Sequence, residues 1–303
     1  MSGIDLTGKV AIVTGSGQGL GLAYARALAS AGASVVINDV NADAANAAVD
    51  AITNAGGSAF AVVAAVGPTE TADQLVDTAV ATFGRLDILV TNAGILRDKV
   101  LWKLEDDDFD LVIQTHLRGT FTTARAAASK FREQGEGGRI IVIGSPAGQH
   151  GNFGQTNYAA AKAGIVAMAR TWSLELARAN VTVNAVIPIA LTGMTATIPI
   201  YKDIAEASEK GLPLPRAVRQ QHALGTPEDV APLIVWLASD ASASVTGQAI
   251  GIGGDKLSIY THPEESFLEY HEGGWSAEDI DRQWKPLFAA HLASSGITLP
   301  PLD

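Results

Sequence analysis

The 303-residue chain contains no cysteine. That removes disulfides, thiolate nucleophiles and cysteine-ligated zinc, and no metal site is expected. An excess of positive charge is also missing: 21 Lys and Arg face 32 Asp and Glu, a formal net charge of −11. This balance argues against nucleic acid as a partner and against an anionic membrane, while a small anionic ligand needs only a local basic patch. No apolar run reaches the roughly 20 residues of a membrane-spanning helix, and the N-terminus lacks a charged-then-apolar signal pattern. A cytoplasmic protein without membrane insertion is therefore expected. No internal repeat or low-complexity segment occurs. With 47% hydrophobic residues the chain also lacks the polarity of a disordered one, and its length suits one α/β domain with an appendage.

What is present is an alternation of short apolar runs and longer, alanine-rich helical stretches. Residues 10–13, 35–37, 59–64, 88–90, 139–143, 181–186 and 248–250 read as strands. Residues 19–32, 41–55, 69–83, 106–134 and 156–179 read as helices, and another starts near Pro227. Continuous apolar strands between helices indicate a doubly wound parallel sheet with helices on both faces. The expected body is 1–254, with 193–226 as a candidate substrate lid, since that stretch carries Pro199, Pro213 and Pro215 between a strand end and the next helix. Residues 255–303 form an extension whose Trp275, Trp284 and Phe288 suggest docking on the body or on a neighbouring subunit.

The first strand leads into Thr14-Gly15-Ser16-Gly17-Gln18-Gly19-Leu20-Gly21, which opens directly into a helix. Gly15 and Gly17 suit a tight turn, Gly19 lets backbone approach a pyrophosphate, and Gly21 allows close helix–strand packing. The helix N-terminus offers unpaired N–H groups and the positive end of its dipole to phosphates. A glycine cluster alone is weak; a strand before it and a helix after it make a dinucleotide site. Asp39 ends the second strand, where a carboxylate can accept from a ribose diol and repels a 2′-phosphate. NAD is thereby expected over NADP. The alternative use of Asp39 is to cap the helix that follows.

Tyr158 and Lys162 lie four residues apart on a helical segment, and Ser145 lies thirteen before the tyrosine. An i, i+4 pair shares one helix face, separated by roughly 6 Å of rise. An ammonium beside a phenol favours the phenolate, and a phenol tuned towards neutrality can exchange a proton with an alcohol or a ketone. On its own, such a pair is also an ordinary surface feature.

With these motifs in this order, and with Asn92-Ala93-Gly94, Pro188 and Thr192, residues 5–254 resemble a single-domain short-chain dehydrogenase/reductase. The resemblance implies a Rossmann-type sheet of seven strands, hydride transfer between a nicotinamide and a carbon bearing oxygen, and homodimers or homotetramers. By the same resemblance Tyr158 is the general acid/base. Lys162 binds the nicotinamide ribose and lowers the tyrosine pKa, and Ser145 hydrogen-bonds the substrate oxygen. Cofactor contacts fall on Gly15, Ser16, Gln18, Gly19, Leu20, Asp39, Val66, Asn92, Ala93, Gly94, Pro188 and Thr192, besides Tyr158 and Lys162. His116 stands where many members carry Asn. It can hold a relay water and titrate near neutrality, or else be a packed, satisfied histidine. Ala65 and Val66 stand where an acidic residue often meets the adenine, so that contact is expected to be backbone and apolar. Ile189 replaces a common glycine.

The segments Asn92–Asp98, His116–Gly119 and Gly151–Tyr158 further resemble the dehydrogenase part of peroxisomal multifunctional enzyme type 2 and its bacterial single-domain relatives. That group implies a (3R)-hydroxyacyl-CoA or a 17β-hydroxysteroid as substrate. A CoA ester needs cations at the pocket mouth, for which Arg97, Lys99, Lys103, Lys202, Lys210, Arg216 and Arg219 are candidates. A steroid needs an apolar slot, for which Phe153, Ile189 and Met194 are the leading candidates, with Leu191, Ile198, Leu212 and Leu214 beside them. The rival readings are a 3-oxoacyl-carrier-protein reductase, against which Asp39 counts, and an NAD-binding sensor or scaffold, against which the intact Ser145–Tyr158–Lys162 set counts.

Overall fold

The computed structural model describes residues 4–192, 201–297 and 299–300. The chain runs β1 (Val10–Thr14), α1 (Gly19–Ser30), β2 (Ser34–Asp39), α2 (Ala42–Asn54), β3 (Ser58–Val63), α3 (Thr69–Phe83) and β4 (Ile88–Thr91). Helix α4 (Asp106–Ile113) then passes through a π-helical turn (Gln114–Arg118) into α5 (Gly119–Gln134). There follow β5 (Gly138–Ile143), α6 (Pro146–His150), α7 (Thr156–Glu175), β6 (Val181–Pro188), α8 (Lys202–Glu209), α9 (Arg216–Gln221) and α10 (Pro227–Ala238). The body closes with β7 (Ala249–Gly253) and β8 (Lys256–Tyr260), and α11 (Ala277–Gln283) lies in the extension. Among the described residues no helix is long and apolar enough to cross a membrane.

The sheet order is β3-β2-β1-β4-β5-β6-β7-β8. Strands β1 to β7 pair in parallel and are the seven read from the apolar runs. The apolar rhythm places residues 256–260 in the extension; in the structure they pair antiparallel with β7 as an edge strand. Gly254-Asp255 makes the two-residue hairpin between them, with Gly254 in the left-handed region at φ 52°. Leu257 and Ile259 on β8 remain exposed, as do Phe60 and Val63 on β3 at the opposite edge, so the two edge strands lack the continuous burial of the inner ones.

Side-chain alternation explains the apolar strands. Ala11 and Val13 enter one core with α1, α2 and α10, while Val10 and Ile12 enter the other with α3, α5 and α7. Ile141 and Ile143 divide from Ile140 and Val142 in the same way. The connections wind in opposite senses on either side of the β1–β4 pair. That switch point leaves a crevice at the carboxyl ends of β1 and β4, where the glycine turn and Asn92-Ala93-Gly94 meet. Beyond β8 the aromatic residues of the extension pack on one another: Phe267 stacks on His291 with centroids 4.4 Å apart, and Trp284 on Phe288 at 5.5 Å.

Candidate active site

At the switch point, the Thr14 hydroxyl accepts from the backbone N–H groups of Asn92 (2.9 Å) and Ala93 (3.1 Å). The Asn92 amide donates back to the carbonyls of Thr14 (3.1 Å) and Gly15 (2.9 Å). These bonds stitch the glycine turn to the end of β4. Gly15 lies at φ 61°, and a Cβ there would come 2.6 Å from the Ala93 Cα, so only glycine fits. Gly19, at φ 56°, faces open space. The exposed Gln18 precedes α1 without a side-chain cap, which leaves first-turn N–H groups of α1 directed outward. Ser16 is different. It is fully buried, its hydroxyl donates to Val13 O (2.7 Å) and accepts from Asn38 N (3.1 Å), and it braces the turn against β2. A cofactor contact at Ser16, expected from the sequence, would be made from a residue whose hydroxyl already bridges β1 and β2.

Asp39 points at the turn. One carboxylate oxygen accepts from Gly17 N at 3.0 Å and the other from Asn41 N at 3.1 Å. The alternative role of capping α2 is taken by Asn41, which accepts from Ala44 N at 3.0 Å. Val66 is buried against Gly119, and Leu20 is half-buried in the first turn of α1. The open turn, the free helix N-terminus and a carboxylate at the end of β2 fit a nicotinamide dinucleotide.

Ser145 ends the segment after β5 and caps α6, its hydroxyl accepting from Ala147 N at 3.2 Å. Tyr158 and Lys162 occupy successive turns of α7, with the Lys162 ammonium 5.6 Å from the centre of the Tyr158 ring. Lys162 is 3% exposed, donates to Ile143 O at 2.7 Å, and is pulled down to about 7 by burial. Burial likewise holds the Tyr158 phenol above its ordinary range, opposed by its hydrogen bond with Ser145 and reinforced by Asp98. The lowering expected from Lys162 does not govern here, because desolvation is the larger effect on both groups.

His116 sits in the π-helical turn, a local underwinding that sequence periodicity does not show. It is 2% exposed, its Nε2 lies 3.0 Å from Ile95 N and 2.8 Å from Ile95 O, and its Nδ1 is buried without a partner among the described residues. The ring meets Tyr158 edge-on, with centroids 5.1 Å apart. Burial first, then the charge of Lys162, push its pKa to about 3, against a raising contact with Ile95. Titration near neutrality is thus corrected: the ring stays neutral because its charged form is desolvated beside a cation.

The short chain dehydrogenase family model matches residues 9–201. The chain belongs to that family. Its members are oxidoreductases acting on CH–OH groups. The chain is 41% identical to "Hydroxyacyl-CoA dehydrogenase ChsB1" of Mycobacterium tuberculosis, across 94% of this chain and 90% of that one. It is 38% identical to "3-oxoacyl-[acyl-carrier-protein] reductase FabG" of Thermotoga maritima, across 82% and 98%. It is 40% identical to "Peroxisomal hydratase-dehydrogenase-epimerase" of Neurospora crassa across 82% of this chain, and spans about a quarter (26%) of that longer relative. A crystal structure of a short chain dehydrogenase from Mycobacterium avium superposes with a TM-score of 0.81 at 34% identity, covering 99% of each chain.

Of the remaining residues read from the sequence, Gly94 packs under the His116 ring, and Pro188 ends β6 half-buried beside Ile189. Thr192 follows, half-buried, just past the Ala190–Gly225 bridge. Phe153 stands exposed on the loop between Ser145 and Tyr158. Met194 and Ile198 lie outside the described residues. Leu214 is buried but Leu212 is exposed. Several cations offered for a CoA ester are already paired. Arg219 forks onto Asp229 (2.9 and 3.0 Å) and reaches Asp255 (2.8 Å), while Lys99 (2.7 Å) and Arg97 (3.6 Å) share Asp108. Asn157, fully buried, is a positioning residue that sequence reading used only within a motif. Its amide donates to the carbonyls of Arg97 (3.2 Å) and Asp108 (3.3 Å), fixing the loop after β4 beside Tyr158. The signal in the sequence is an Asn directly before the candidate Tyr158 at a helix start.

Proposed function

We propose that this dehydrogenase interconverts a secondary alcohol and a ketone on a bulky, largely apolar substrate with NAD, and that a (3R)-hydroxyacyl-CoA is the favoured substrate class. The observation that carries this reading is the grouping of the buried Ser145 and Lys162 with the half-buried Tyr158, and of His116 edge-on to the tyrosine. In oxidation the hydroxyl proton passes to the Tyr158 oxygen as the C–H bond breaks. The nicotinamide, when bound, takes the hydride. Ser145 donates to the substrate oxygen, where such a preorganised donor contributes on the order of 3 kcal/mol. Lys162 in its charged form supports the phenolate, and the neutral His116 holds a proton path through its free Nδ1.

The relative matched almost end to end carries hydroxyacyl-CoA dehydrogenase as its name, which supports the thioester over the steroid. Lys103, Lys202 and Lys210 have no ion pair among the described residues and suit CoA phosphates. The apolar Phe153, Ile189 and Leu191 keep a 17β-hydroxysteroid as the second reading. Exposed Phe109, Leu111, Phe121 and Leu174 support self-association as a dimer or tetramer. The test compares kcat/KM for a (3R)-hydroxyacyl-CoA with NAD, a 17β-hydroxysteroid with NAD, and a 3-oxoacyl carrier-protein thioester with NADPH. The CoA ester is expected to lead by at least about tenfold. A lead for the steroid or for the NADPH reaction overturns the assignment.

A further inference from the structure

Two hydrogen bonds from the C-terminal extension tie together the two sides of the catalytic cleft. Gly296 N donates to the carbonyl of His150, at 2.7 Å. His150 ends α6, the short helix that Ser145 caps, and its ring also lies against Tyr260 at 6.0 Å. Four residues on, the Pro300 carbonyl lies 2.7 Å from Nε2 of His222. A carbonyl only accepts, so Nε2 carries the hydrogen; in the neutral ring Nδ1 then accepts from the Tyr201 hydroxyl at 3.0 Å. His222 and Tyr201 are 2% and 4% exposed, so each of these polar atoms depends on the others for its partner.

The far side of this chain of contacts reaches the cleft. Tyr201 packs with Val218 and Leu224 against Ile189 and Leu191. The backbone of Gly225 donates to Ile189 O (3.3 Å) and accepts from Leu191 N (2.7 Å). His222 thus stands three residues from the strand-like pairing that holds Ile189 and Leu191, the apolar wall beyond Pro188. The extension is anchored at one point to the Ser145 helix and at the other to this wall, within a single chain.

We propose that the C-terminal extension is a strap that fixes the distance between the Ser145 helix and the wall formed by residues 201–225, with His222 as its positioning residue, and so sets preference for long substrates. This deepens the substrate reading given above and rests on it. Two such hydrogen bonds together shift a closed-to-open balance by roughly tenfold or more. The strap acts on the large substrate, whose length spans both walls, and hardly on a short one held by Ser145 and Tyr158.

The experiment compares the full chain, a chain ending at Leu292, and His222→Phe, which keeps a ring but loses both hydrogen bonds. No described residue after Leu292 belongs to either core, so ending the chain there leaves both cores and the β7–β8 pair intact. KM for a long-chain hydroxyacyl-CoA is expected to rise about tenfold in each variant. The kcat for a short hydroxyacyl thioester should change less than about twofold, and the two changes combined should have no more effect than either alone. Amide exchange across 201–225 should quicken in both variants, a readout independent of turnover. Unchanged KM together with unchanged exchange overturns the strap. A wild-type chain that turns over neither thioester overturns the substrate reading instead, and exchange still decides the strap.

Discussion

The His116 ring stands edge-on to the Tyr158 ring, its plane at 85° and its centroid 5.1 Å away, with Nδ1 buried and free. A neutral ring in this place can relay a proton only through hydrogen bonds. His116→Asn, which keeps a hydrogen-bonding side chain, is therefore expected to retain activity within about tenfold, and His116→Leu to lose roughly 100-fold in kcat. The pH–rate profile of His116→Asn should have the same acid limb as wild type. Stability gives the sign check. The folded pKa of about 3 lies below the ordinary 6.5, so the unfolded chain binds the proton first as pH falls. The contribution is complete above the ordinary value and is lost between the two. Thermal melts should show wild type losing more Tm than His116→Asn between about pH 7 and about pH 5.

Lys162 shifts in the same direction as His116. Its folded pKa of about 7 lies below the ordinary 10.5 because burial disfavours the ammonium. The unfolded chain binds more protons between those values, so stability rises with pH across that window and the penalty is complete below it. Lys162→Met should abolish turnover yet raise Tm at about pH 6, on the order of 5 °C, with the gain shrinking towards about pH 9. A melting-temperature series in matched buffers checks it. A gain that grows with pH contradicts it.

Gly94 is required for contact rather than for backbone freedom. A Cβ at 94 would fall on Cε1 of the His116 ring. Gly94→Ala is expected to displace that ring, cost roughly 1–3 kcal/mol in denaturant melts, and lower kcat as His116→Leu does. Full activity in a variant that is also fully stable would mean that the ring has room to move.

Asp39 presents its carboxylate to Gly17 N, and this arrangement underlies the NAD assignment. Wild type is expected to favour NAD over NADP by at least about tenfold in kcat/KM, and Asp39→Ser to narrow that ratio by about tenfold. Equal efficiency of wild type with both cofactors removes the assignment.

The sequence is most readable where local chemistry and global fold coincide. The inner parallel strands show as apolar runs because both faces of each are covered, as Ala11 and Ile12 illustrate by facing different cores; the edge strand β3 shows by its apolar residues alone, since Phe60 and Val63 are exposed. The glycine turn is legible because Gly15 needs a positive φ and close contact with Ala93. The edge strand β8 is hidden because Leu257 and Ile259 face outward and leave no continuous apolar run. His116 is recognisable by position, but its fixed neutrality follows from burial and from Lys162, which comes from a different helix. The same holds for the cations: Arg219 looks free in the sequence and is held by Asp229 and Asp255, the second of them 36 residues away.

The most direct test of the account is NADH absorbance with wild type beside Tyr158→Phe, on a (3R)-hydroxyacyl-CoA at saturating NAD. The phenylalanine variant should bind NAD as wild type does and lose on the order of 1,000-fold or more in kcat, since only the proton-transferring oxygen is gone. Equal rates in the two proteins would contradict the account.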